Sequence, residues 1–321
     1  MSCPNELQYI YKTNVTYTVF EWTERIRSRK LAGFCIKHLI LIILLVFITT
    51  SITITILPPV LGSVQRDRFG ISEIYSSAVN GTEWYSAWEN GQMRTIGSGQ
   101  RDPYDKNFEV TGNGEVTIDR ENGVAAITGG APRMRVPDID FENVEITFYA
   151  ERISEEEEIS YQGFVAGARS KHYTNALCGA NTYYGRFTYD GRVSFEKELF
   201  HGHGDTAQYP PTDAPSKYIW PEDEGIPDDE WIGLKFVLKT LPKEDGVLLE
   251  LYRDLTDGSN GGEWEKVLQY NDTSEWYVEA DDGICNDYPH NKILFTPGFV
   301  FIRNDFIDQA QYKKFSIREI A

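Results

Sequence analysis

The chain has 321 residues, of which 49 are acidic and 31 are basic, so its formal net charge at pH 7 is −18. Because a strongly acidic surface repels the phosphate backbone, we predict no nucleic-acid partner. The length allows one large domain or two small ones.

The first predicted element is a membrane-spanning helix over residues 39–57, a run of 19 residues without a charge. At about 1.5 Å per residue this run reaches roughly 28 Å, close to the ~30 Å hydrocarbon core of a bilayer. Pro58 and Pro59 then end the helix. Basic residues are more numerous before the run than just after it, which predicts a cytoplasmic N-terminus. We therefore expect a cytoplasmic tail (1–38), a transmembrane signal anchor (39–57), a juxtamembrane linker (58–69) and an extracellular domain (70–321). A cleaved secretory signal and a buried helix are the alternatives.

Two cysteines, Cys178 and Cys285, lie in the part predicted to be extracellular. A lone pair in an oxidising compartment predicts a disulfide, and two separately buried thiols are the alternative. No CxxC pair occurs, which disfavours a zinc site. The sequons at Asn80 and Asn271 are predicted glycosylation sites.

From about residue 70 onward, short runs alternate apolar and polar residues and are separated by Gly, Asp, Asn and Pro. This period-two pattern, without long helical periodicity, predicts one all-β domain built as a two-sheet antiparallel sandwich. In Asn143–Glu151 (NVEITFYAE), Val144, Ile146 and Phe148 form the apolar face. The opposite face, which we expect to be solvated, carries Glu145, Thr147, Tyr149 and Glu151.

The clearest turn is Asp190-Gly191, which lies between two strand-like runs. A two-residue primed turn there would pair Phe187 with Ser194 and would fix the register of a hairpin. That register gathers four polar side chains on one face: Tyr184, Arg186, Lys197 and His201. A slip of one residue would exchange the two faces.

The hairpin is followed by roughly thirty residues rich in proline that end near Trp231. Loops of this length are usually functional or disordered, and the aromatic residues here favour an ordered loop that walls a groove. Trp220 is the best candidate for stacking on a sugar ring. His201, His203 and Asp205 alternate at the start of the loop and are a weaker candidate metal site.

The closing segments GFVFIRNDF and QYKKFSIREI, together with WIGLKFVLKT and VLLELYRDLTDG, resemble the concanavalin A-like lectin/glucanase superfamily. The likeness is nearest to uncharacterised membrane-anchored archaeal surface proteins, through the segments Glu83–Tyr85, Arg169–His172 and Lys197–His201. It covers about residues 70–321 and implies a jelly-roll fold. The superfamily includes lectins, glycosidases and polysaccharide lyases, so the resemblance leaves the activity open.

Two enzymatic branches of this superfamily make different demands on the sequence. A retaining glucanase needs two carboxylates ~5–5.5 Å apart, and the nearest local match, Glu196-Lys-Glu198, lacks the family spacing. An alginate-lyase-type enzyme needs a cation, a base and a proton-donating tyrosine. Its signatures are absent, but side chains of the right types occur. The candidate catalytic residues are His172, His201 and Tyr184, and the candidate ligand-binding residues are Arg169, Arg186, Lys197, Trp220 and Tyr149. A polar strand face with an exposed loop is the alternative.

Members of the superfamily often carry a structural calcium ion, so the resemblance also implies a possible Ca²⁺ site. The oxygen-rich segment Asp254-x-x-Asp257-Gly-x-Asn260 is the first candidate, and Asp281-Asp282 is the second. Neither matches the twelve-residue EF-hand loop. Surface turns are the alternative for both.

The sequence thus favours a membrane-anchored extracellular protein that binds a glycan or polysaccharide. A polysaccharide lyase or glycoside hydrolase is the first alternative, and a structural cell-envelope protein is the second. The glycan, the oligomeric state and the role of the N-terminal tail stay open.

Overall fold

The computed structural model describes residues 64–154, 163–172, 178–200, 216–221, 224–278, 285, 287–305 and 307–321. The predicted anchor at 39–57, His201 and Asp281-Asp282 lie outside these residues. The described residues include no helix with the length and hydrophobicity that a bilayer-spanning segment needs. Two short 3-10 helices, Pro242–Glu244 and Ser259–Gly261, interrupt an otherwise all-β domain.

Seventeen strands are formed by the described residues. They are β1 (Glu83–Tyr85), β2 (Arg94–Gly97), β3 (Gln100–Asp102), β4 (Asp105–Asn113), β5 (Glu115–Asp119), β6 (Val124–Thr128), β7 (Ala131–Phe141), β8 (Val144–Ser154), β9 (Gly163–Ser170), β10 (Cys178–Thr188), β11 (Arg192–Phe200), β12 (Ser216–Tyr218), β13 (Ile232–Thr240), β14 (Val247–Asp254), β15 (Glu265–Asp272), β16 (Gly298–Asp305) and β17 (Gln309–Glu319).

The strands form two antiparallel sheets packed face to face. The eight-stranded front sheet has the order β12-β11-β10-β9-β16-β7-β4-β3, and the nine-stranded back sheet has the order β15-β14-β13-β8-β17-β6-β5-β2 with β1 beside β17. The core lies between them and contains fully buried side chains from both, such as Phe164 of the front sheet and Phe148 of the back sheet. The predicted all-β two-sheet antiparallel sandwich is therefore confirmed.

The face of β8 that was predicted to be solvated is largely buried. That prediction was wrong for Glu145, Thr147 and Tyr149, whereas Glu151 is half-buried. Glu145 and Thr147 are fully buried beneath the N-terminal strap, which we define as residues 65–78. The backbone amides of Ile74 and Tyr75 donate to the Glu145 carboxylate at 3.0 Å. Lys235 Nζ lies 2.5 Å from the same carboxylate. Because the strap supplies both hydrogen bonds and cover, a strand face that is polar in sequence becomes interior.

The register of the β10–β11 hairpin differs from the prediction by one residue. Phe187 pairs with Val193, not with Ser194. Gly191 has φ +83°, whereas Asp190 is not among the residues with positive φ, and Gly191 N donates to Thr188 O at 2.9 Å. A type I turn followed by one left-handed residue makes a three-residue loop. The side chains expected on one face are consequently divided between two.

Cys178 and Cys285 are joined by a disulfide, with their Cα atoms 5.8 Å apart. The bridge links the start of β10 to the segment that precedes β16. Asn80 and Asn271 are both exposed, which is compatible with the predicted glycosylation.

Candidate functional site

The candidate site lies on the outer face of the front sheet, where neighbouring strands align their polar residues in two rows. Cross-strand partners place Thr111, Arg133, Arg303, Val165, Arg186 and Ser194 in the first row. The second row is formed by Glu109, Arg135, Phe301, Gly167, Tyr184 and Glu196. Residues between these positions along each strand, such as Met134 and Ile302, point into the core.

An aromatic floor crosses the middle of this face. The Phe301 ring lies over Gly167, where an added Cβ would come within 2.3 Å of the ring. Phe299, Phe301, Tyr184 and Val165 form a hydrophobic cluster separate from the main core. The absence of a side chain at Gly167 therefore allows an aromatic ring to lie flat on the sheet.

A cavity of about 170 Å³ opens above this floor. Its walls come from β4, β7, β16 and the residues after β9, and its lining consists of Thr111, Gly112, Arg133, Arg135, His172, Phe299 and Phe301. The guanidinium groups of Arg133 and Arg135 lie over the rings of Phe301 and Phe299, 5.9 and 5.7 Å from their centroids. The cavity thus combines aromatic and cationic surfaces.

Most arginines on this face are neutralised by carboxylates. Arg303 Nε lies 2.8 Å from Asp305 Oδ1, and Arg186 contacts Asp305 at 3.2 Å and Glu196 at 2.5 Å. Arg135 contacts Glu109 at 2.9 Å. Each of these cations is therefore balanced within the protein.

Arg133 differs from its neighbours. Within the described part of the chain no carboxylate lies within ion-pair distance of it, whereas Arg135, Arg186 and Arg303 each have one. Its cross-strand partner is another cation, Arg303. Burial and the charge of Arg303 lower the pKa of Arg133, although Tyr184, Glu198 and Asp305 oppose this effect. An arginine stays protonated at neutral pH. Like charges directly opposite each other on a sheet are destabilising, so this position favours an anion.

His172, Glu198 and Tyr184 form a second polar group on the same face. His172 Nδ1 lies 3.2 Å from Glu198 Oε2, and the Tyr184 hydroxyl donates to the same oxygen. Burial and the charge of Glu198 raise the pKa of Tyr184 well above its usual value, so the phenol is protonated. Of the predicted catalytic residues, His172 lines the cavity and Tyr184 lies beside it.

Lys197 lies on the opposite face, contrary to the prediction. The one-residue change of register turns it into the core, where Nζ contacts Asp272 at 2.9 Å and the carbonyl of Lys292 at 3.2 Å. Burial lowers the pKa of Lys197, although Asp272 opposes this effect. This lysine connects the sheets and does not face the cavity.

Arg169, a candidate ligand-binding residue, is also turned away from the face that carries the cavity. Strict alternation would place it beside Val165 and Gly167, but a bulge shifts the register against β16 and Arg169 adopts φ +49°. Its guanidinium donates to the carbonyls of Glu142 and Leu294 at 2.9 and 2.6 Å. Burial lowers the pKa of Arg169 to about 10. Its contacts tie together the segments before β8 and β16.

The two aromatic residues predicted to bind ligand, Tyr149 and Trp220, are largely covered. Tyr149 is fully buried on the outer face of the back sheet, and its hydroxyl donates to Asp254 at 2.9 Å. Trp220 is 9% exposed, and the guanidinium of Arg253 lies 4.9 Å from its ring centroid. Neither ring belongs to the cavity.

The candidate calcium residues have other contacts. Asp254 accepts hydrogen bonds from Thr256, Gly258 and Glu263 backbone amides at 2.8–3.0 Å. Exposed Asp257 pairs with Lys313 at 2.7 Å, and the backbone carbonyl of Asn260 accepts from Arg66. Across the described residues no cluster of His, Cys, Asp or Glu side chains is arranged to hold a metal ion.

The sequence reasoning missed Arg133 and Arg135, the two cations that line the cavity. Their signal was present in β7, where APRMRV alternates arginine with Met134 and Val136. This alternation predicts that both arginines lie on the strand face opposite to Met134 and Val136.

No protein-family model matches the chain, and no curated protein matches it. Among solved structures it resembles a galectin-like protein of unknown function from Bacillus subtilis at 10% identity, over 74% of this chain and 98% of that one, with a TM-score of 0.40. It also resembles the metal-free carbohydrate recognition domain of Emp46p (10% identity, 70% and 94% coverage, TM-score 0.42). A legume lectin-like domain from Entamoeba histolytica is similar at 10% identity, 71% and 97% coverage and a TM-score of 0.40. Likenesses at this level carry no argument about the site.

Proposed function

We propose that this protein binds glycans through an anionic sugar residue held in the cavity beside Arg133. The observation that carries the proposal is the pair of facing arginines, in which Arg303 has Asp305 as a counter-ion and Arg133 has none among the described residues. A carboxylate or sulfate ester on the ligand would supply that counter-ion. A planar guanidinium suits both groups through paired N–H donors.

The aromatic floor supports a sugar rather than a simple ion. Phe299 and Phe301 line the same cavity as the arginine but are only 4% and 1% exposed. They therefore form an apolar base to the cavity and not an open stacking surface, and the apolar face of a pyranose suits such a base. A uronate carries its carboxylate directly on the ring, so one residue of this kind brings both features to the site.

Isothermal titration of the full chain in detergent with methyl glucuronide, methyl glucoside and a sulfated monosaccharide tests the proposal. We expect the anionic sugars to bind and the neutral sugar to fail. Arg133→Met should cost about 2–5 kcal/mol of binding free energy, a loss of at least about 30-fold.

Arg120→Met is the matched control, since it removes the same charge from an exposed turn and should leave binding unchanged. Equal binding of the neutral sugar, or full binding by Arg133→Met with the fold intact, would overturn the proposal. Absence of any sugar binding would favour the structural envelope role.

A second candidate function is polysaccharide β-elimination. It is favoured by the contact of His172 Nδ1 with Glu198, because a carboxylate that holds one imidazole nitrogen orients the ring for proton transfer. The base would remove the proton α to the uronate carboxylate, the glycosidic C–O bond would break as a C=C bond forms, and the leaving oxygen would take up a proton. Incubation with uronate oligosaccharides, followed by detection of unsaturated ends, separates a lyase from a binder.

We further propose that residues 39–57 anchor the protein in the cell membrane with the C-terminal domain outside. This rests on the uncharged run and the basic residues that precede it. The protein should remain with membranes after a carbonate wash, and intact cells should expose its C-terminus to protease. Full-length protein in the soluble fraction would contradict the anchor.

A further inference from the structure

The cavity is of the order of one sugar ring. An apolar cavity of roughly 150 Å³ holds a benzene ring, and sites for larger ligands run from about 300 to 1,000 Å³. At about 170 Å³, this cavity has room for a single residue, and further sugars would have to lie outside it.

The sheet face beyond the cavity is closed on the side of β9, β10 and β11. Tyr184 and Val165 are almost fully buried. Arg186 is engaged by both Glu196 and Asp305. A sugar chain extending in this direction would have to displace these described ion pairs, so no groove continues there.

The opposite side, over β4 and β3, is open. Gly112 is exposed at the rim of the cavity. The side chains of Arg101 and Asp138, which form an ion pair, are 44% and 52% exposed. Among the described residues the cavity therefore has one open side and one closed side.

From this asymmetry we infer that the site takes the terminal residue of a glycan chain, with the rest of the chain leaving over β4 and β3. This inference rests on the proposed function. A sugar inside a glycan is linked to a neighbouring sugar on both sides, so it would need two openings in the cavity wall. The described strands provide one.

The charges at the open side of the cavity determine which kind of second sugar the glycan can carry. Arg101 is paired with Asp138, and Arg135 is paired with Glu109, so both arginines of this side are already balanced. The further cation near Asp138 among the described residues is Lys106, which is exposed. A second anionic sugar would therefore meet two carboxylates and only a solvated lysine, whose ion pairs are worth little. The ligand class is accordingly a neutral oligosaccharide capped by one acidic sugar.

Titration of the full chain in detergent with four defined probes tests the inference. The probes are methyl glucuronide, a neutral trisaccharide capped by glucuronate, a tetrasaccharide with glucuronate at an internal position, and an oligogalacturonate. We expect the first two to bind with Kd values within about threefold of each other, because the added sugars make few contacts. The internal glucuronate should bind at least about 100-fold more weakly, since it must displace buried ion pairs.

Asp138→Asn provides the test of the second position. It removes a carboxylate and leaves Arg101 with only its longer contact to Glu109, at 3.9 Å, so the oligogalacturonate should bind about 5–10-fold more tightly while the capped neutral trisaccharide changes little. Equal binding of internal and terminal glucuronate, or affinity that rises with chain length, would overturn chain-end recognition. If Arg133→Met still abolishes that binding, the proposed function stands and only this inference fails. If no probe binds, the proposed function fails as well.

Discussion

Lys197 and Asp272 form a buried ion pair that joins the two sheets near one edge of the sandwich. Both side chains have no exposed surface, and Nζ lies 2.9 Å from Oδ2. The Tyr183 hydroxyl donates to the same carboxylate oxygen at 2.5 Å. Lys197 belongs to β11 and Asp272 ends β15, so the pair fixes one sheet relative to the other.

Lys197→Met should therefore destabilise the protein by about 3–5 kcal/mol, because it leaves a buried carboxylate without its cation. Urea denaturation followed by tryptophan fluorescence measures the change. Arg101→Met is the control, since its pair with Asp138 is exposed and should be worth less than about 1 kcal/mol. Similar losses in the free energy of unfolding for the two variants would show that burial does not strengthen the Lys197–Asp272 pair.

Arg133→Met should leave the unliganded protein as stable as before or more stable by up to about 1 kcal/mol, because it removes a like charge that faces Arg303. Thermal unfolding without a ligand measures this effect. Addition of methyl glucuronide should raise the melting temperature of the unmodified protein only. A strong destabilisation by Arg133→Met would instead identify Arg133 as a structural residue.

Gly191→Ala should destabilise the β10–β11 hairpin by more than Gly99→Ala does. Both glycines have positive φ, at +83° and +77°, so alanine is strained by about 1 kcal/mol at either position. Only at position 191 would the new Cβ meet a backbone atom, the Trp220 carbonyl oxygen at 2.9 Å. Chemical denaturation of the two variants side by side separates the steric clash from the backbone strain. Equal losses in the free energy of unfolding would exclude the clash with Trp220.

Reduction of the Cys178–Cys285 disulfide should lower the stability of the domain by about 4–5 kcal/mol, since it releases a loop that spans a sequence separation of 107 residues. Denaturation curves with and without reductant give the difference. Thiol labelling of the denatured, unreduced protein should modify neither cysteine. Labelling of both would refute the bridge.

Asp254 should contribute stability that is lost in acid. Burial alone would raise the pKa of Asp254, but hydrogen bonds from Thr256, Glu263, Gly258 and Tyr149 to the ionised form outweigh it and lower this pKa below the ordinary value of 3.8. The contribution is therefore complete above about pH 4 and disappears as the pH falls through the lower pKa of the folded protein. The unmodified protein should lose more stability below about pH 4 than Asp254→Asn does. Parallel acid unfolding curves for the two proteins would contradict this.

The fold class was predictable because it depends on local alternation. The apolar face of β8, with Val144, Ile146 and Phe148, is buried as expected. The other face of the same strand was not predictable, since Glu145 becomes buried only through hydrogen bonds from Ile74 and Tyr75, about 70 residues earlier in the chain. Sequence pattern indicates which residues are polar, but not what will cover them.

The candidate site was predictable only in part, for a similar reason. His172, Tyr184 and Arg186 do lie on one sheet face, but Lys197 and Arg169 leave it because of one turn residue and one bulge. Alternation has a period of two, so a single extra residue reverses every position after it.

The sequence by itself thus determined the two-sheet sandwich, because period-two burial is a property of each strand. Which arginine of the described front sheet has no paired carboxylate was decided by tertiary structure alone. Arg133, Arg303 and Asp305 become neighbours only when β7 and β16, about 170 residues apart in sequence, pair in the front sheet. Charge pairing depends on the distance between atoms in space, so it cannot be read from the order of residues in the sequence.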